Sequence, residues 1–143
     1  MNKNNLALPL LTALLLSASL AACNKPESPA QTSADVAKAE AEGARDVAKA
    51  ENKMMEEHND NVVEAVKDQA PLSKGDLKED NNNARKVEME RAEADYKIAK
   101  EKCGSLSGDA KDTCEKHAKT DYETAKIAIE AAHDITKTQI NGQ

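Results

Sequence analysis

The chain contains no tryptophan and no phenylalanine, and its only aromatic residues are Tyr96 and Tyr122. Without an aromatic platform or a basic patch, it has neither the stacking surface nor the electrostatic footprint of a nucleic-acid binder. Bulky apolar residues are nearly as sparse. Residues 23–143 hold only 19 Val, Ile, Leu, Met and Tyr side chains in 121 positions. That volume is too small to offset the conformational entropy of a compact α/β enzyme or a β-sandwich, or to line a deep ligand pocket. Charge of one sign is also missing as a block. The 26 acidic and 20 basic residues are interspersed, leaving a net charge of −6. A mixed, mildly acidic surface of this kind serves solubility. There is no Ser/His/Asp arrangement, no phosphate-cradling glycine loop and no paired acid/base site, so the sequence does not read as an enzyme.

The most informative stretch is the N-terminus. Lys3 precedes an apolar run from Leu6 to Leu16, broken by Pro9 and Thr12 and followed by Ser17, Ala18 and Ser19. The run falls short of the roughly 20 residues a membrane-spanning helix needs. It has the layout of a secretory signal peptide over residues 1–22. Leu20-Ala21-Ala22-Cys23 then resembles a bacterial lipobox. The resemblance implies cleavage between Ala22 and Cys23 and acylation of Cys23, with palmitate among the acyl chains. An ordinary signal peptide cut after Ala22 would instead leave Cys23 a free thiol. Several chains give stable anchoring where one alone binds marginally. Asn24 stands where lipoproteins retained in the Gram-negative inner membrane carry an aspartate. The resemblance therefore implies outer-membrane anchoring facing the periplasm. Cleavage also removes Lys3, taking the net charge to 19 − 26 = −7.

Residues 24–33, with Pro26 and Pro29 among Ser, Glu, Gln and Thr, have the composition of a flexible tether, so 23–33 is expected to be a lipidated leash. A long helix is expected next, over 34–69, with Ser33 as its N-cap and Gly43 as its only glycine. Asp35-Val36-Ala37-Lys38-Ala39-Glu40 recurs eleven residues later as Asp46-Val47-Ala48-Lys49-Ala50-Glu51. An eleven-residue repeat makes three turns and places Val36, Ala39, Gly43, Val47, Ala50 and Met54 on one stripe. Pro71, Ser73, Gly75 and Asp76 suggest a linker over 70–82. Asn81-Asn82-Asn83 then suggests the cap of a second helix ending at Cys103, with Gly104 as its stop. Ser107 or Asp109 is expected to cap a third helix running to about Thr136, with 138–143 as a tail. On that helix Cys114, Ala118, Asp121, Ala125, Ala128, Ala132 and Ile135 follow a 4,3 spacing. Asp95-Tyr96-Lys97-Ile98-Ala99-Lys100 is echoed by Asp121-Tyr122-Glu123-Thr124-Ala125-Lys126. The expected fold is therefore all-α: an Ala-rich extended hairpin over 83–137, of coiled-coil character, preceded by one long helix.

With Cys23 assigned to lipid, Cys103 and Cys114 remain, flanking a short turn. In an oxidising periplasm this favours an intramolecular disulfide clipping the hairpin. Zinc held by Cys103, Cys114, His117 and Asp121 is the alternative, and the spacing matches no close-paired cysteine motif. Met54, Met55 and His58 form the weak candidate for a metal, copper in that case, since thioether and imidazole are its ligands. Methionines on a helix more often fill gaps in a core. No cofactor is expected.

The stretch Ala94–Cys103 followed by Leu106–Cys114 is similar to small Ala/Lys-rich, two-cysteine periplasmic proteins of Gram-negative bacteria, a group loosely described as TolA-like. The resemblance covers the C-terminal third and implies a cell-envelope location. The eleven-residue repeat also resembles desiccation-protectant helical proteins. Three functions are expected in turn. The first is a non-enzymatic outer-membrane lipoprotein, anchored at Cys23, that serves as a structural or interaction module through an envelope protein partner or self-association. The second is a stress protectant that folds at membranes. The third is a periplasmic copper binder.

Overall fold

A computed structural model describes residues 25–142, and the expected signal peptide, cleavage site and lipidation residue lie outside them. The described residues form three helices: α1, Pro29–Lys67; α2, Lys74–Lys102; and α3, Gly108–Gly142. A 3-10 turn, Cys103–Ser105, follows α2. No strand occurs among the described residues, so the fold is all-α as its periodicity suggested. At 1.5 Å per residue the helices run about 58, 44 and 52 Å. Consecutive helices are antiparallel neighbours. Both α1 and α3 pack along α2, while touching each other scarcely at all. The molecule is a layer of three rods with α2 in the middle.

Helices α1 and α2 begin where their backbone donors find a partner, and these points differ from those expected, whereas α3 starts at Gly108, directly after the expected cap Ser107. Helix α1 starts at Pro29 rather than at 34. Ser28 is its N-cap, with Ser28 Oγ accepting from the Gln31 N–H at 3.2 Å. Proline suits the first helical position because its missing donor is not needed there. Helix α2 starts at Lys74, within the stretch 70–82 expected to be a linker. Ser73 and Asp76 form a reciprocal capping box: Ser73 Oγ accepts from the Asp76 N–H, and the Asp76 carboxylate accepts from the Ser73 N–H at 2.7 Å. Gly75, expected to help break the chain, sits instead in the first turn, where its N–H bonds Ser73 Oγ. Helix α3 runs on to Gly142 with Ile140 buried, so residues 138–142 are helix and not a tail.

The buried faces of α1 and α3 share an eleven-residue period. On α1 the buried and half-buried set is Thr32, Asp35, Val36, Ala39, Gly43, Val47, Ala50, Glu51, Met54, Glu57, Asn61 and Ala65. This contains the stripe expected from the repeat. On α3 the inward set is Cys114, Ala118, Tyr122, Ala125, Ile129, His133, Thr136 and Ile140. The expected 4,3 spacing on α3 is therefore corrected. Asp121 is exposed within it, and after Ala125 it drifts off the face, leaving Ala128, Ala132 and Ile135 exposed. A heptad advances 3.5 residues per turn and an eleven-residue repeat about 3.67, so the latter drifts more slowly around a helix of about 3.6 residues per turn.

The core is small. Its most buried members are Ala39, Val87, Ala92, Ala94, Cys103, Ala118 and Ile140. Small side chains permit close approach. A Cβ built on Gly43 would lie 2.6 Å from Ala94 Cβ and 3.4 Å from Ala94 Cα, so glycine is what lets α1 rest against α2 at this point.

Candidate functional site

Ala22 and Cys23, the expected cleavage and lipidation residues, precede the described residues. The segment just after them governs how they would be presented. Residues 25–28 do not trail away from the helices. The Glu27 N–H donates to the Gly104 carbonyl at 2.9 Å, and Thr32 Oγ1 donates to the Glu27 carboxylate at 3.3 Å. The Glu27 carboxylate lies so close over Gly104 that a Cβ there would meet Oε2 at 2.2 Å. This segment thus clasps the turn between α2 and α3, where composition predicts a featureless leash. The clasp has no sequence signal, because one backbone bond carries it.

Beneath the clasp, the sulfurs of Cys103 and Cys114 are bonded, with their Cα atoms 5.8 Å apart. Cys103 is fully buried and Cys114 half-buried. The alternative zinc set does not assemble. Both thiols are spent on each other, and His117 and Asp121 are exposed.

Farther along the hairpin the two halves of the sequence echo meet. Tyr96 and Tyr122 stack with centroids 5.0 Å apart at 17°. Each ring carries the lysine four residues on: Lys100 lies 5.7 Å from the Tyr96 centroid and Lys126 lies 5.2 Å from that of Tyr122. The echo thus becomes a matched pair, each helix supplying a Tyr to the stack and a Lys over its own ring.

The third cluster corrects the reading of Asn81–Asn83 as a cap. These residues are inside α2, and with Asp80 they reach both neighbours. Toward α1, Asp80 Oδ2 lies 2.8 Å from His58 Nδ1, and Asn83 Nδ2 donates to Glu57. Toward α3, Asn81 Nδ2 donates to the His133 carbonyl at 3.0 Å, and Asn82 Oδ1 lies 2.9 Å from His133 Nε2. Four consecutive residues divide between partners because successive helical positions are about 100° apart. A run of asparagines inside a long helix, with histidines on the adjacent helices, is the signal that was available. Two ion pairs extend the set. Arg91 bonds Glu51 of α1, and Arg85 meets Glu130 of α3 in a two-pronged contact of 2.8 and 2.6 Å. The hydrogen bond from Arg85 and then its charge hold the Glu130 carboxyl below its ordinary value.

Met54, Met55 and His58 all lie on α1 and meet different surroundings. Met54 lines an open groove of about 480 Å³ between α1 and α2, with Asp46, Lys53, Lys86, Glu90 and Lys97 around it. Met55 is 57% exposed, and His58 Nδ1 is engaged by Asp80. Among the described residues no three His, Cys, Asp or Glu side chains converge as a metal would require. No described helix is long and apolar enough to cross a membrane. Larger apolar side chains stay uncovered at Val62, Val63 and Val66 of α1 and at Ile127 and Ile135 of α3. Comparison with known proteins finds no matching family model, no matching curated protein and no matching solved structure.

Proposed function

We propose that the chain is a non-enzymatic lipoprotein of the bacterial envelope, acylated at Cys23, anchored in the outer membrane and facing the periplasm, whose helical body is an interaction module. The observation that carries the module reading is the open layer itself. Among the described residues each outer helix has one neighbouring helix, and the side turned away from it retains apolar residues: Val66 is 70%, Ile127 72% and Ile135 61% exposed. Such residues on an otherwise charged helix suit pairing with another helix, from a protein partner or a second copy. The links between helices support a body folded on its own, which favours this reading over a protectant that folds only at membranes or on drying.

Photo-crosslinking from Val66 and Ile135 in intact cells, together with fractionation of the two membranes, tests the proposal. One discrete adduct formed from those positions and not from the exposed Lys119, with the protein in the outer-membrane fraction, is the expected result. Equal, diffuse labelling from all three positions would remove the interaction module. A protein found in the soluble periplasm would remove the anchor.

A further inference from the structure

The clasp fixes which end of the body meets the lipid, given the proposed acylation of Cys23, on which this inference rests. Cys23 is four residues before Glu27, and Glu27 is bonded to Gly104 at the disulfide turn. Four residues span at most about 14 Å even when fully extended. We infer that the disulfide end, residues 25–28 and 103–108, abuts the bilayer surface, and that the body stands away from it with the α1–α2 turn at the far end.

Two observations beyond the short leash support this orientation. The residues of this end, 25–28 and 103–108, carry Lys25 and Glu27 as their only charged side chains, a balance of zero. Residues 23–143 as a whole sum to −7, so the acidic excess lies on the remainder of the body. An anionic headgroup layer repels that remainder and tolerates this end. The turn also carries one bulky apolar side chain, Leu106, which is 37% exposed between Ser105 and Ser107. A single leucine flanked by serines can enter the headgroup region without inserting a helix. At the opposite end the turn Asp68–Ser73 is separated from the clasp by the length of α1, about 58 Å.

The test uses the full chain, processed and acylated in cells, then purified into vesicles of phosphatidylethanolamine and phosphatidylglycerol. A fluorescent amino acid replaces Leu106 in one variant and Ala70 in another, and a fraction of the lipids bears a headgroup nitroxide quencher. The expected result is quenching several-fold stronger at 106 than at 70. A Gly/Ser spacer of about 20 residues inserted between Asn24 and Lys25, long enough to release the body from the surface, should bring the signal at 106 down to that at 70, with helicity and acylation unchanged. Equal quenching at both positions in the acylated, spacer-free protein overturns the orientation and leaves the lipoprotein reading intact. An N-terminal peptide whose mass shows no acyl chain overturns both.

Discussion

Gly43 and Gln69 show how single positions set the geometry of α1. At Gly43 the intrinsic preference of a helix for alanine, worth about 1 kcal/mol, opposes a steric limit. The Cβ would press on Ala94 Cβ and also touch its Cα, so no flexible side chain can yield. Overpacking of this kind costs about 1–3 kcal/mol. Gly43→Ala is therefore expected to lower the thermal midpoint, whereas the same change on a solvent-facing helical position would raise it. Gln69 presents the reverse case. It follows the C-cap of α1 with φ 53°, and the hydrogen bonds around it, Gln69 N–H to Val66 O and Ala70 N–H to Ala65 O, are those of a Schellman ending. A left-handed residue with a Cβ costs about 1 kcal/mol or more relative to glycine. Gln69→Gly should raise the midpoint by a few degrees in a circular dichroism melt.

At the scale of elements, α2 depends on polar contacts as much as on its small core. Asn83 is 4% exposed, gives its amide N–H to Glu57 and accepts from Lys86 Nζ at 3.3 Å. Removing that side chain takes one hydrogen bond from Glu57, which keeps its ion pair with Lys53, and the net loss of such a bond is about 1 kcal/mol. Asn83→Ala should lower stability more than Asn82→Ala, because the Asn83 side chain is buried and that of Asn82 is exposed. A double-mutant cycle with Glu57→Gln would isolate the contact. The hairpin is held differently. Cys103 and Cys114, separated by 11 positions, close a loop for which the chain-entropy treatment gives about 3 kcal/mol. The paired Cys103→Ala and Cys114→Ala change should drop the midpoint by roughly 10–15 °C for a body of this size.

The same elements show where sequence was informative. The stripe on α1 was legible because the repeat spells it twice with valine and alanine. The disulfide was legible because, with Cys23 assigned to lipid and an oxidising compartment expected, two cysteines were left to pair. The face of α3 was not, since alanines at 118, 125, 128, 131 and 132 satisfy more than one period at once. The capping role expected of Asn81–Asn83 failed for a related reason. Asparagine suits a helix end by local bonding, but here tertiary partners on both sides outweighed that preference. The clasp at Glu27 lay beyond reach, because a main-chain bond leaves no mark in composition.

For the molecule as a whole, stability should depend on pH through the ion pairs that join the rods. The Glu130 carboxyl is held low by its hydrogen bond and attraction to Arg85. A depressed carboxyl contributes fully above its unfolded value and loses that contribution as pH falls through the folded one. The midpoint is therefore expected to be level near neutrality and to decline below about pH 4. Glu130→Gln should flatten part of that decline, as read from melts between neutral and acidic pH. Both partners are exposed, so the change will be modest and will shrink in high salt.

The clasp also sets a load path. A pull between an anchored Cys23 and a partner gripping the α1–α2 turn travels lengthwise through α1, as tension in one rod. The same pull delivered through the outer side of α3 must cross both seams in shear and engage many side-chain contacts together. Where a partner takes hold would then decide whether the layer stretches by unwinding one helix or resists as a laminate.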